Sequence, residues 1–412
     1  MCVNQRLAFF KSNVLPLILG QLGVAAVQGF QLLVVARTLG PHEFGKVAGI
    51  LAITAALLPF SGLGTANMMV MHLARGDKGA ARLYGNSLTA GLMSGTALTA
   101  LVLAGFYIWD GDRGFLLIAF LFCISELVFT KTVDISQHVF FGMDRHAVAS
   151  KFLIIQSSLR FAGALLLMQL DLQTARDWAL AHIVGGGLAA ALIVSYTLKT
   201  THGLSVDFKK MRDDIRHGVF FSMGFAARGV YIDIDKAILP RFETMSINGA
   251  YTAAFRLVYM ATTPLTAGLL ALQAKMYRAG GTHGITETAR IARRAMVVGV
   301  AYGTVVGIMI YALAPLLPLV IGPKYALSVD IMRALAFLPI PLFAQSAMSD
   351  ALAAANHQRA RSMVQIFVAG LAVLLNFVLI QQYSWMGAVI AAYACQVFLA
   401  LCMAAIVHQK TR

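Results

Sequence analysis

Three arginines stand inside long apolar segments, where charge is rare. Arg160, Arg228 and Arg256 each lie in a stretch rich in Leu, Ile, Val, Phe and Ala. If these stretches cross a bilayer, each charge costs on the order of 2.5–3.5 kcal/mol or more and must face a polar cavity or a partner. A guanidinium group can hold phosphate oxygens bidentately. Two interpretations follow: the arginines bind an anion in a shared lumen, or each forms an interhelical salt bridge.

Carboxylates in the same segments could neutralise these cations or take up a coupling proton or sodium ion. The residues in question are Glu126, Asp134, Asp233, Asp235 and Asp350. We predict neutralisation for Asp233 and Asp235, which are close in sequence to Lys236. Both roles stay open for Glu126 and Asp350.

Uncharged polar side chains extend the same helical faces. Tyr231 follows Arg228 by three residues, and Tyr259 follows Arg256 by three, so each pair lies on one face of a helix. These stripes predict helices that line a common aqueous lumen. Gln28 in the first apolar segment can meet sugar hydroxyls or hold helices together.

The composition requires a bilayer as the main solvent. Hydrophobic residues make up 59% of the 412 residues, and Asp, Glu, Lys and Arg only 12%, against about 25% in a soluble domain. Segments of suitable length predict an all-α polytopic membrane protein with about twelve transmembrane helices. These segments are 12–36, 47–71, 83–109, 115–136, 152–170, 178–198, 219–240, 250–274, 295–323, 331–354, 363–382 and 387–407.

The net charge of +15 indicates orientation. Of the 33 Lys and Arg, 21 fall on the side of the N-terminus, six in the opposite loops and six within spans. Cytoplasmic loops carry such an excess, so both termini are predicted to be cytoplasmic. No contiguous basic domain is present, which argues against a nucleic-acid partner.

The chain divides into two similar halves. At an offset of 204, residues 37–45 align with 241–249, and each segment ends the first span of its half. We predict a six-helix bundle over 1–198, a cytoplasmic amphipathic linker over 199–217 and a second six-helix bundle over 218–412. The linker fits a short interfacial helix on the anionic leaflet, or a solvated basic segment.

Catalytic, metal and cofactor motifs do not emerge. Residues 40–47 nearly match a phosphate-binding loop, but Val47 stands where Ser or Thr is required and no strand precedes it. The four cysteines lack zinc spacing. Loops are short, which leaves no room for a catalytic domain. We therefore expect a protein that is not an enzyme and holds no catalytic residue, metal or cofactor.

Several short motifs resemble one family. They are Leu-Gly-Pro-His-Glu-Phe-Gly at 39–45, Val-Tyr-Ile-Asp at 230–233 with Gly-Ala-Tyr at 249–251, Ile-Gly-Pro-Lys-Tyr at 321–325, and Leu-Asn at 375–376 followed by Gly-Ala at 387–388. This pattern is similar to that of bacterial lipid-linked oligosaccharide flippases of the O-antigen translocase type. These form the polysaccharide-transport branch of the multidrug/oligosaccharidyl-lipid/polysaccharide (MOP) exporter superfamily.

The resemblance implies two parallel six-helix bundles around a V-shaped cavity in the bacterial inner membrane. It implies alternating access that moves an undecaprenyl-pyrophosphate-linked oligosaccharide from the cytoplasmic to the periplasmic leaflet, for surface polysaccharide biosynthesis. Implied partners are the lipid-linked oligosaccharide, membrane lipids, and polysaccharide polymerase and chain-length machinery. Two alternatives stay open: a cation-coupled multidrug exporter of the same superfamily, and a membrane-embedded polysaccharide polymerase or ligase.

Overall fold

The computed structural model describes residues 15–77, 79–109 and 112–411. The start of the first predicted span and the predicted cytoplasmic cations Arg6, Lys11, Lys78 and Arg412 lie outside the described residues. Within those residues the chain is almost wholly helical and contains no strand. The α-helices are α1 (Leu15–Leu57), α2 (Thr65–Ala74), α3 (Ala80–Trp109), α4 (Arg113–Cys123), α5 (Lys131–Gly142), α6 (His146–Gln169), α7 (Ala175–Thr201), α8 (Phe208–Phe242), α9 (Met245–Met260), α10 (Thr263–Leu313), α11 (Leu317–Ile321), α12 (Leu327–Leu335), α13 (Pro339–Ala354), α14 (Gln358–Tyr383) and α15 (Trp385–Thr411).

The fold class predicted from the sequence is confirmed. Among the described residues, eight helical stretches are long and apolar enough to cross a bilayer, and the bent pair of α12 and α13 makes a ninth. One of these stretches, Leu22–Phe60, covers two predicted spans. Between them, α1 is interrupted at Gly40 by non-helical backbone angles. Helices also lie at the two remaining predicted positions, 219–240 and 250–274.

The helices at 219–240 and 250–274 are not simple apolar spans, because one carries several charges and the other is broken. α8 passes through 219–240 but carries charged residues near its C-terminal end, which are paired as described below. The segment 250–274 is not one helix, because α9 ends at Met260 and α10 begins at Thr263. Pro264 at the start of α10 lacks a backbone N–H, and the Tyr302 hydroxyl donates to the carbonyl of Ala261 in the break, at 3.0 Å.

The second predicted span, 47–71, is broken at Pro59. A short 3₁₀ turn over Leu58–Phe60 follows α1, and Gly62, Leu63 and Gly64 have positive φ before α2 begins. The last two spans are likewise separated by Ser384 with φ of 56°.

The described chain forms two compact units. The N-terminal unit comprises residues up to Leu39 together with 50–229, and the C-terminal unit comprises 40–49 together with residues from 230 onward. In the first unit, Tyr84, Phe140 and Phe152 belong to the core. In the second, Met276, Leu352 and Leu399 are fully buried, and the helices α10, α13 and α15 that carry them pack together.

Residues of the predicted linker attach to the N-terminal unit. The Asp207 N–H donates to Asn86 Oδ1 at 2.8 Å, and the carboxyl of Asp207 accepts from the first backbone N–H groups of α8. Asp214 Oδ1 lies 3.4 Å from His72 Nε2. Burial raises the pKa of the Asp214 carboxyl, although the neighbouring His72 opposes this effect. The predicted short interfacial helix is therefore not separate: from Phe208 it is the beginning of α8, which continues into the span.

The segments that align at an offset of 204 pack against each other within the C-terminal unit. A methyl group at Gly45 would collide with the Met245 carbonyl, and one at Gly249 would collide with the Pro41 carbonyl. The contact is reciprocal, since Met245 aligns with Pro41 and Gly249 with Gly45. The Asn248 side chain donates to the Gly45 carbonyl at 2.9 Å across the same crossing.

We predict that Gly249→Ala destabilises the protein while Gly370→Ala does not. The new methyl at Gly249 meets backbone, which cannot yield as a side chain would, and overpacking of this kind costs about 1–3 kcal/mol. Gly370 also lies in a helix but has open space around it. The thermal unfolding midpoints of the purified variants in detergent measure the difference. Equal midpoints for both variants would contradict the close crossing.

Candidate functional site

The fourth span is wound differently in its middle. Between α4 and α5 the residues Ile124–Thr130 form a π-helix. π-Helical turns are rare and occur frequently at functional sites. This turn carries Glu126 and Thr130, and the first turn of α5 carries Asp134.

Glu126 pairs with Arg160 of α6 in the N-terminal unit. Arg160 Nη2 lies 3.0 Å from Glu126 Oε1 and donates to Thr130 Oγ1 at 2.7 Å. His182 of α7 adds a contact of 3.4 Å to the same carboxylate oxygen, and Ser125 Oγ lies 2.9 Å from the other ring nitrogen of His182. Both side chains of the ion pair are mostly buried. For Arg160, the structure contains the interhelical salt bridge that was one of the two interpretations.

A cavity of about 310 Å³ lies beside this cluster in the N-terminal unit. Its charged residues come from α5: Lys131 Nζ lies 2.7 Å from Asp134 Oδ2, and His138 Nδ1 lies 3.4 Å from Asp134 Oδ1. Further residues that line the cavity are Leu58, Pro59, Gly64, Asn67, Thr130, Val133, Gln137, Leu153, Gln156, Ser222 and Phe225. The cavity is thus polar on the α5 side and partly apolar elsewhere.

Sequence reasoning missed most of this cavity. Of the residues that line it, only Asp134 was among the predicted site residues. The position of His138 could have been noticed in the sequence. His138 follows Asp134 by one helical turn, and Lys131 precedes Asp134 by one turn, so the three side chains lie on one helical face. Asn67 and Ser222 come from other helices, and the sequence does not reveal the packing that brings them to this cavity.

The C-terminal unit contains a second charged cluster, around a fully buried lysine. Lys236 Nζ lies 2.8 Å from Asp235, 3.3 Å from Asp233 and 3.5 Å from the centre of the Phe255 ring. The Tyr251 hydroxyl donates to the second oxygen of Asp235 at 2.6 Å. A buried ammonium group is stable only with such compensation.

Arg256 joins this cluster from the neighbouring helix α9. Its Nη2 lies 3.2 Å from Asp233 Oδ1, the same oxygen that Lys236 contacts. The Arg256 side chain is 36% exposed, whereas Asp233 is 9% exposed. One carboxylate therefore serves two cations, and one of those cations is only partly covered.

The other predicted site residues differ in their exposure. Arg228 and Gln28 are exposed, and Asp350 is half-buried. Tyr231 is buried in the core of the C-terminal unit. Tyr259 is half-buried and stacks on Phe255, with ring centres 6.1 Å apart.

Within the described ranges, no group of three or more His, Cys, Asp or Glu side chains is arranged to hold a metal ion. Cys123, Cys395 and Cys402 are free thiols. Cys2 lies outside the described residues.

Solved structures share the fold of this chain. The inward-facing conformation of a multidrug resistance MATE family transporter of the MOP superfamily is 15% identical, with a TM-score of 0.71 over 97% of this chain and 96% of that one. A MOP superfamily transporter from Pyrococcus furiosus, whose reverse polarity of the binding pocket suggests a different function, is 14% identical, with a TM-score of 0.68 over the same shares. At such low identity the likeness shows the fold alone.

A family model described as polysaccharide biosynthesis protein matches residues 10–268. No curated protein matches the chain. Because the family model covers more than half of the chain, the protein belongs to the polysaccharide biosynthesis protein family, and it has the fold of the MOP superfamily.

Proposed function

We propose that the protein is a transporter that moves an anionic undecaprenyl-pyrophosphate-linked oligosaccharide from the cytoplasmic to the periplasmic leaflet of the bacterial inner membrane. Transport proceeds by alternating access and serves the biosynthesis of a surface polysaccharide. Membership of the polysaccharide biosynthesis family, the MOP fold and the apolar helices support this proposal. The cytoplasmic excess of Lys and Arg supports cytoplasmic termini.

The environment of Arg256 carries the proposal. A guanidinium group within a span does not face hydrocarbon without a large free-energy cost, so its exposed third faces water or a polar ligand. Its ion pair uses a carboxylate that Lys236 also contacts. An arriving phosphate can thus bind Arg256 while Asp233 keeps Lys236 as its partner.

Partial neutralisation also serves release. A transporter that holds an anion too tightly does not let it go, and Asp233 competes with the phosphate for Arg256. The membrane potential, negative inside, favours outward movement of an anion by about 2.3 kcal/mol per charge per 100 mV. Arg228, which is exposed on α8, supplies a second cation in this proposal, while Tyr259 and Gln28 contact the sugars.

The roles of the carboxylates follow from their partners. Asp233 and Asp235 neutralise cations, and Glu126 and Asp134 hold Arg160 and Lys131. In this proposal the half-buried Asp350 is the residue at which a coupling ion would act.

A multidrug exporter is the second candidate, because the MATE family transporter shares the fold. Such a protein would confer drug resistance when overexpressed, and its lumen would be acidic rather than basic. A polymerase or ligase differs in the lipid-linked intermediate that accumulates without it. Loss of a flippase leaves single repeat units on the cytoplasmic side, whereas loss of a polymerase leaves single units already exported.

We expect Arg256→Ala to reduce surface polysaccharide roughly ten- to a hundredfold in a flippase-null bacterium that this protein complements. A hydrogen bond to a charged group contributes about 1.5–3 kcal/mol, and 1.4 kcal/mol is a tenfold change. Arg256→Lys keeps the charge without the bidentate geometry and should retain intermediate export. Immunoblots of the membrane fraction correct for protein level.

The matched control is Arg290→Ala, which removes an exposed arginine paired with Glu287 three residues earlier and should leave export unchanged. Arg228→Ala is measured beside it. Wild-type export by the Ala variants of both Arg228 and Arg256 would contradict the proposed anion binding.

For Arg160 we predict a positioning role, tested with a double variant. Arg160→Ala leaves Glu126 uncompensated, which costs roughly 3–5 kcal/mol, so the protein level should fall. Arg160→Met combined with Glu126→Gln removes both charges and should restore the protein level and most of the export. A double variant that is as abundant as wild type but exports nothing would contradict a role of Arg160 that is confined to charge compensation.

A further inference from the structure

Two polar groups in the cavity of the N-terminal unit lack partners within the described part of the chain. Gln137 is 5% exposed and Ser222 is 2% exposed, and both residues line the cavity. Gln137 Nε2 and Ser222 Oγ are buried and make no hydrogen bond. An unsatisfied buried polar group is unfavourable, so a ligand that supplies partners for these groups would bind favourably.

The charges of the cavity argue for a neutral ligand. Lys131 and Asp134 form an ion pair at 2.7 Å, and His138 packs against the same carboxylate. A phosphate would find the ammonium group already neutralised by Asp134. A metal ion would meet the ammonium group beside the carboxylate it needs. Neither an anion site nor a cation site fits this arrangement well.

The remaining surface fits a polyhydroxylated ring. Asn67 and Gln156 add amide groups, which both donate and accept hydrogen bonds, and Phe225 adds an apolar wall. Hydroxyl groups of a sugar also donate and accept, while its C–H faces are apolar. Ligand pockets span about 300–1,000 Å³, so a cavity of about 310 Å³ suits one or two sugar rings rather than an oligosaccharide.

Arg160 and Glu126 position side chains in one wall of the cavity. Thr130 Oγ1 accepts from Arg160 Nη2 at 2.7 Å and from Gln156 Nε2 at 3.3 Å. Thr130 and Gln156 both line the cavity. Because Thr130 also contacts Arg160, the guanidinium group lies next to the cavity wall. The Arg160–Glu126 pair thus orients two polar side chains of the cavity.

We infer that this cavity binds an uncharged sugar ring of the transported glycan, through Gln137, Ser222 and the amides of Asn67 and Gln156. The inference rests on the proposed function and deepens it. Recognition of the pyrophosphate and of the sugar is divided between separate sites. The cavity therefore contributes to the choice of glycan, independently of the lipid that carries it.

The test compares two lipids that differ only in the sugar. Wild type, Gln137→Leu and Ser222→Ala, each as the full chain in lipid nanodiscs, are titrated with undecaprenyl pyrophosphate. They are also titrated with the lipid-linked repeat unit from a flippase-null host that wild type complements. We expect the two variants to bind the repeat unit at least fivefold more weakly and the sugar-free lipid as wild type does.

Gln396→Leu is the matched control. Gln396 is also buried, at 3% exposed, and its Oε1 also lacks a hydrogen-bond partner, but it does not line the cavity. Removal of a buried polar atom that makes no hydrogen bond also removes the desolvation cost of that atom. Each variant should therefore fold, as thermal unfolding of the same nanodiscs reports.

The outcomes separate the inference from the function it rests on. Equal affinity of all variants for the repeat unit would overturn the sugar site. A loss that is the same for both lipids would overturn it too, since it would indicate a phosphate site. If wild type binds neither lipid and complements no flippase-null host, the proposed function itself fails.

Discussion

Hydrocarbon does not solvate charge, and every ionised side chain inside a span therefore depends on a neighbour. The described spans meet this constraint with carboxylates from the same or the next helix. Glu126 serves Arg160, Asp134 serves Lys131, and Asp233 and Asp235 serve Lys236. Two ion pairs join separate helical segments: Glu126 of the π-helix with Arg160 of α6, and Asp233 of α8 with Arg256 of α9. Separating the partners of such a pair would leave an uncompensated buried charge.

In the proposed function, the substrate binds where charge compensation or hydrogen bonding within the protein is incomplete. Lys236 is fully buried and has two carboxylates, but Arg256 shares Asp233 with it and stays 36% exposed. The N-terminal cavity shows the opposite pattern, with its lysine neutralised and its amide and hydroxyl groups unsatisfied. An incompletely compensated cation suits the pyrophosphate, and unsatisfied neutral groups suit sugars. In the proposed function, the partly compensated cation binds the pyrophosphate of a lipid-linked oligosaccharide, and the unsatisfied neutral groups bind its sugars.

The sequence predicted the fold well, because spans are defined by local properties. Length, apolar content and breakers such as Pro59 act within one helix, and the helices lie where these properties indicate. The sequence analysis predicted one span over 250–274 and missed the break between α9 and α10. Pro264 lies at the start of α10 and not in the middle of one helix. The sites were less predictable. Spacing alone brought Asp233 and Lys236 together, whereas Asn67, Gln137 and Ser222 meet at one cavity only through the packing of separate helices.

Proteoliposomes that contain the purified full chain and a lipid-linked repeat unit with a fluorescent sugar would show whether the protein carries a lipid-linked oligosaccharide across the bilayer. A membrane-impermeant quencher reports how much of the sugar faces outward over time. We expect wild type to speed up transbilayer movement at least tenfold over protein-free vesicles and Arg256→Ala to lose most of this effect. Movement no faster than in protein-free vesicles, with wild type folded and inserted, would contradict the proposed transport.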